Sequence, residues 1–193
     1  MTDFKKLVSK EQAEEAIKTL LLWIGENPNR EGLIETPNRV IKSYEERFSG
    51  YKITPTEVLS KQFSETAEYS GIVTLSDITV ESCCEHHMLP IIGKAHVSYI
   101  PNKLVVGISK LARLVEVFAK RLQLQERMTV QIANAIQENL QPKGVAVMIE
   151  AEHHCICHRG VHHGNSIMTT SSFLGEFQSK QDVLQQFFNS IKR

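Results

Sequence analysis

The sequence predicts an α+β domain: antiparallel strand hairpins on either side of a helical layer, preceded by two N-terminal helices. Three observations carry that prediction. Apolar residues recur at helical spacing up to about Gly50, the period changes to two from Gly71, and a long helical stretch separates two pairs of strand-like runs. With 193 residues, 41% of them hydrophobic and 23% charged, the chain suits one ordinary soluble domain with some peripheral helix.

Ser9 and Gln12 read as a capping box for a first helix through Ala13, Ile17, Leu20, Leu21 and Ile24, which Gly25 and Pro28 end. Thr36 as N-cap and Pro37 in the first turn open a second helix through Val40, Tyr44 and Phe48. Val73 and Leu75, then Ile78 and Val80, alternate as a strand whose register shifts across Ser76 and Asp77, as at a bulge. Ala95, Val97 and Tyr99 mark a second strand, and the turn between the two carries Cys84 to Pro90. Ser109 is the expected cap of the long helical stretch, whose apolar stripe breaks around Gln123 to Glu126, as in a kink or two abutting helices. From Gly144 a third strand places Val145, Val147, Ile149 and Ala151 on one face, a parity that continues into His153 and Cys155. A fourth strand is expected over 167–177 and a terminal helix over 181–191.

Charge and composition narrow the function. Lys+Arg and Asp+Glu both number 22, so nothing argues for a nucleic-acid backbone as the main partner, and any anion site must be local. The segment MTDFKKLVSKEQ has no apolar core of signal-peptide length, and no run reaches about 18 apolar residues. The expected location is the cytoplasm, with no membrane partner. In a reducing compartment the four cysteines point to metal or thiol chemistry rather than disulfides.

Those cysteines cluster as Cys83 with Cys84 and Cys155 with Cys157, and seven of the eight histidines sit beside them: His86, His87, His153, His154, His158, His162 and His163. A C-x-x-H step brings Cys84 and His87 onto one ion, and Cys155 closes a three-ligand set. Two thiolates and an imidazole select zinc over magnesium or calcium, whose sites want oxygen. Three protein ligands with an open position make a water-activating centre. Cys157 as a fourth ligand would make a closed structural site, since i and i+2 on a strand share a face. His86 and His153 stand where a general acid or base would serve a metal-bound water. The H-x-E and P-C-x-x-C steps of nucleobase deaminases and the H-E-x-x-H of metalloproteases are absent.

Cys84-Glu85-His86-His87 with Pro90 and Gly93-Lys94-Ala95, then Gly107-Ile108-Ser109-Lys110-Leu111-Ala112-Arg113, Gln125-Glu126-Arg127, and His153-His154-Cys155 with Arg159-Gly160-Val161 closely resemble the motifs of GTP cyclohydrolase I, in order and approximate spacing. The resemblance implies hydrolysis of GTP at C8 of the purine, release of formate and rearrangement to 7,8-dihydroneopterin triphosphate, the first step toward folate or biopterin. It further implies a tunnelling fold: a catalytic domain over 61–193 behind a helical region over 1–60, built into a homodecamer with active sites at subunit junctions.

Residue by residue, Cys84, His87 and Cys155 match the zinc (Zn2+) ligands of that family, and His86 and His153 the proton-handling histidines. Glu126, with Gln125 beside it, matches the guanine-reading segment. Lys110, Arg113, Arg159, Arg39 and Lys42 match the triphosphate-binding cations, and Ser109 the ribose-phosphate end. Elementary chemistry agrees, because an ionised carboxylate only accepts hydrogen bonds while guanine N1 and N2 only donate. Lys110 and Arg113 share a face near a helix N-terminus, which also favours phosphate. The rival readings are another pterin or deazapurine enzyme of the same fold, such as the nitrile reductase of queuosine synthesis, and a zinc-stabilised oligomeric scaffold.

Overall fold

The helix predicted from Ser9 forms as α1, Lys10–Trp23, in a computed structural model that describes residues 7–64 and 69–192. Residues 1–6 of the segment read for a signal peptide lie outside the described residues. The capping box is reciprocal: Gln12 N–H donates to Ser9 Oγ at 3.2 Å and Ser9 N–H to Gln12 Oε1 at 2.9 Å. Gly25, at φ +91°, ends the helix because the left-handed conformation lets Glu26 N–H reach back to the Leu21 carbonyl at 2.9 Å. Helix α2, Thr36–Arg47, differs slightly from expectation. Thr36 is its first residue, and Glu35 occupies the cap without a side-chain hydrogen bond. The chain divides after this pair into two units, Met1–Phe48 and Ser49–Arg193.

In the second unit a short 3₁₀ turn, Ser49–Lys52, leads into α3, Pro55–Leu59, and β1, Gln62–Phe63. Strands β2, Val73–Cys84, and β3, Pro90–Ile100, form the first hairpin. Its register shifts between Leu75 and Ile78, where Asp77 takes φ +56°, the bulge that the broken alternation requires. After β4, Val105–Val106, come α4, Ile108–Ala119, β5, Leu122–Gln123, and α5, Gln125–Leu140, so the interrupted stripe is two helices with a strand between. Gly107, not Ser109, is the N-cap of α4. Strand β6, Gly144–His153, runs into α6, His154–Cys157. Then follow β7, Ile167–Gly175, α7, Glu176–Ser179, and α8, Gln181–Ile191. The fourth strand is thus two residues shorter than expected, and Phe177 turns inward on α7.

The main sheet has the order β5-β2-β3-β6-β7, antiparallel except where β5 lies parallel to β2. This is the α+β arrangement that the period changes predict. Val145, Val147, Ile149 and Ala151 share the core face, packing with Val80, Ile91 and Val97 against Leu111, Leu114, Met128 and Ile132 of α4 and α5. Ala146 faces the other way, into a smaller cluster with Ile100, Phe177 and Phe187 under α8. Gly93 lets β3 and β6 close at this point, since a Cβ there would meet the Glu150 carbonyl oxygen at 2.0 Å. Among the described residues, no helix is long and apolar enough to cross a membrane.

Candidate metal and substrate site

Strand register brings the two cysteine-histidine clusters to one end of the sheet. Cys83 pairs with Pro90, and Ile91 pairs with both Ser82 and His153, so the end of β2 and the end of β6 flank the start of β3. Cys84 is buried as the last residue of β2. Its N–H donates to the Leu89 carbonyl at 2.8 Å and its carbonyl accepts from Met88 N–H at 2.8 Å, a tight turn that Met88 completes at φ +54°. This turn presents His87. Cys155 approaches from α6, and one ligand atom from each of Cys84, His87 and Cys155 lies within 4.8 Å of the others.

Cys155 does not continue the strand as its parity suggested. Strand geometry stops at His153, and Cys155 sits in one helical turn, where each residue rotates by about 100°. Cys157, two residues on, therefore points to another side and is buried outside the three-residue cluster. Burial, reinforced by the adjacent Cys84 sulfur, pushes the Cys155 thiol above its ordinary range, while Arg159 opposes the shift. A divalent cation between the sulfurs would reverse this balance. Two sulfurs and an imidazole nitrogen at these separations fit a soft, tetrahedral ion.

The proton-handling candidates stand close by. His153 ends β6 and its Nε2 lies 2.8 Å from Gln125 Oε1. Burial holds its pKa below the usual imidazole value, and the Glu126 carboxylate offsets part of that. Glu126 is exposed in the first turn of α5, where the helix dipole favours its charge. His86 is exposed next to His87, the two rings edge-on with centroids 6.3 Å apart. Arg159 Nη1 donates to His87 Nε2 at 2.7 Å; a guanidinium has no acceptor, so the imidazole nitrogen supplies the lone pair.

Other sequence-derived candidates are carried by other elements. Val106, two residues before α4, donates its N–H to Tyr99 Oη, and Tyr99 pairs with Val73 at the opposite end of the sheet from Cys84. Ser109 and Lys110 follow in the first turn of α4 at that end, whereas Arg113, about one turn on, lies beside Ile78, Thr79 and Glu81 in the middle of β2. Lys110 and Arg113 line a cavity of about 420 Å³ together with Ser49, Gly50, Glu57 and Lys120. The return of α4 brings Ala119 back to Ser82 Oγ at 2.8 Å, but Lys110 is nine residues earlier, about 14 Å along the axis. Arg39 and Lys42 are exposed on α2 in the N-terminal unit. Gln125 is fully buried, with its amide spent inside the protein.

The sequence reading missed a brace on the metal turn. Arg127 pairs with Glu85 and donates to the Leu122 carbonyl at 3.1 Å and to Gln123 Oε1 at 3.2 Å, while Glu85 N–H donates to the Gln123 carbonyl at 3.0 Å. The only sequence signal for it is a pair of opposite charges, Glu85 and Arg127, one in each of two motifs. Arg127→Ala is expected to weaken zinc binding about 10- to 100-fold, as read by competition with a chelator, while the melting temperature changes little.

The profile of the GTP cyclohydrolase I family matches residues 13–192. The chain belongs to the GTP cyclohydrolase I family. The GTP cyclohydrolase 1 of Maricaulis maris (strain MCS10) is 51% identical over 185 residues, covering 96% of this chain and 90% of that one. That of Rickettsia bellii (strain OSU 85-389) is 55% identical over 184 residues, 95% of this chain and 96% of the relative. Among solved structures, the apo form of the archaeosine synthase QueF-Like aligns with a TM-score of 0.47 at 18% identity, over 56% of this chain and 97% of that one.

Proposed function

We propose that this member of the GTP cyclohydrolase I family hydrolyses GTP at purine C8, releases formate and rearranges the remainder to 7,8-dihydroneopterin triphosphate. The observation that carries the reading is the meeting of Cys84, His87 and Cys155 at one sheet end, with His153 and Glu126 beside them. Zinc is the ion this donor set suits, held by those three residues, and when bound it would supply the Lewis acidity that activates water at neutral pH. Glu126 accepts hydrogen bonds from guanine N1 and N2 and so rejects adenine, whose N1 is itself an acceptor. His153 protonates N7 as the imidazole ring opens. His86 handles protons in the second hydration that frees formate. Each histidine contributes about a hundredfold or more in such a role.

Lys110, Arg113, Arg159, Arg39 and Lys42 neutralise the triphosphate, and Ser109 hydrogen-bonds near the ribose. Within one chain Lys110 starts α4 at the far end of the sheet from the metal cluster, and Arg113 stands about one turn nearer, beside Ile78 and Glu81. The separation of Lys110 from the metal cluster within one chain supports a homo-oligomer, a decamer by family resemblance, with active sites between subunits. Among the described residues sheet edges are available for that assembly: β7 pairs only with β6, and β5 covers only Cys83 and Cys84 on the outer side of β2. The enzyme works in the cytoplasm. Zinc-loaded protein given GTP should release one formate for each GTP consumed. GTP consumption without formate would sink the proposed ring opening.

A further inference from the structure

Gln125 opens α5 with none of its surface exposed, and every polar atom of its side chain is engaged. Its Nε2 directs two hydrogens at three acceptors, one of them shared: the Ile149 carbonyl at 3.0 Å, the Met168 carbonyl at 2.9 Å and Thr170 Oγ1 at 3.1 Å. Carbonyl oxygens only accept, so the amide has one orientation. Turned over, it would set Oε1 against two carbonyl acceptors at a fully buried position.

The hydroxyls beside it obey the same logic. Thr129 Oγ1 donates to the Gln125 carbonyl at 2.8 Å, which uses its single proton. In the 2.7 Å contact between Thr129 and Thr170, Thr170 is therefore the donor, and its lone pair is free to accept from Gln125 Nε2. The network has one consistent direction. It ends on Gln125 Oε1, an acceptor only, facing His153 Nε2 at 2.8 Å. That nitrogen must carry a proton.

We propose that Gln125 is a positioning residue for His153, fixing the ring's orientation and its tautomer with hydrogen on Nε2, so that Nδ1 is the nitrogen that takes and returns protons. This rests on the role of His153 proposed above, and it gives the Gln125 side chain a task inside the protein. Its Nε2 is committed to acceptors within the protein.

The tautomer is directly measurable. Zinc-loaded protein carrying ¹⁵N-histidine, examined by solid-state NMR at about pH 8, above the ordinary imidazole range, should show His153 as a neutral ring protonated at Nε2. The resonance is assigned by its loss in His153→Asn. Gln125→Met should mix the two tautomers and lower kcat about 10- to 100-fold, with KM for GTP nearly unchanged. A merely space-filling role would leave the tautomer as it was. If Gln125→Met fails to fold, the wild-type spectrum decides, because a ring protonated at Nδ1 overturns the proposal. The spectrum is read without substrate, so an absence of GTP turnover would count against the reaction and not against this network.

Discussion

Cys155→Ser protein is expected to purify without zinc and with activity reduced about 10³-fold or more, some 4 kcal/mol of barrier, whereas Cys157→Ser keeps both metal and activity. The contrast follows from α6. Had the β6 geometry continued, Cys155 and Cys157 would share a face and both could serve the ion. Because residues 154–157 form a helical turn, Cys155 joins Cys84 and His87 while Cys157 is buried apart from them. A serine hydroxyl at 155 is a poor replacement for a thiolate, and the remaining two ligands cannot hold the ion against a chelator. Zinc per chain, measured by atomic emission, checks the metal, and turnover of GTP checks the activity. Loss of zinc from Cys157→Ser would mean that the fourth position is closed by a thiolate and that no water is activated there.

Glu126→Gln should lower kcat/KM for GTP by about 30-fold to several thousandfold, mostly through KM, as expected for removing one partner of a charged hydrogen-bonded pair. The amide keeps one acceptor but turns a donor toward guanine's own donors, so one of them is left facing an N–H. Inosine triphosphate, which lacks the N2 amine, separates recognition from general damage. The parent protein should prefer GTP strongly, and the variant should discriminate far less. Equal discrimination in both proteins would show that Glu126 does not read the guanine edge.

Much of this architecture is legible in the residues because it is local. The Ser9 and Gln12 capping box, the strand alternation and the bulge at Asp77 each depend on a few neighbouring residues, and all appear as their patterns require. Local signals were weaker elsewhere. Helix α3 carries a Thr54 and Glu57 capping box around Pro55, but five residues are too few to display an apolar stripe. β5 is two residues long and exists through its pairing with Cys83 and Cys84, which no window of sequence contains. Ser109 is a good capping residue one position into α4, where Gly107 already sets the entry.

The site divides the same way. The C-x-x-H step names Cys84 and His87 because one turn holds both, and Cys155 follows from ligand chemistry. What the spacing cannot convey is tertiary. Gln125 and His153 are 28 residues apart, and only the fold makes one the hydrogen-bond acceptor of the other. Likewise, Lys110 and Arg113 follow the metal turn closely in sequence, yet β3 carries the chain to the far end of the sheet before α4 begins.

The most direct test of the account is to incubate the metal-replete protein with GTP, oxidise the mixture and measure pterin fluorescence, with and without a zinc chelator. The account predicts a fluorescent pterin that forms only when zinc is present and returns when zinc is restored. No pterin from metal-replete protein, or the same yield after complete removal of the metal, would contradict it.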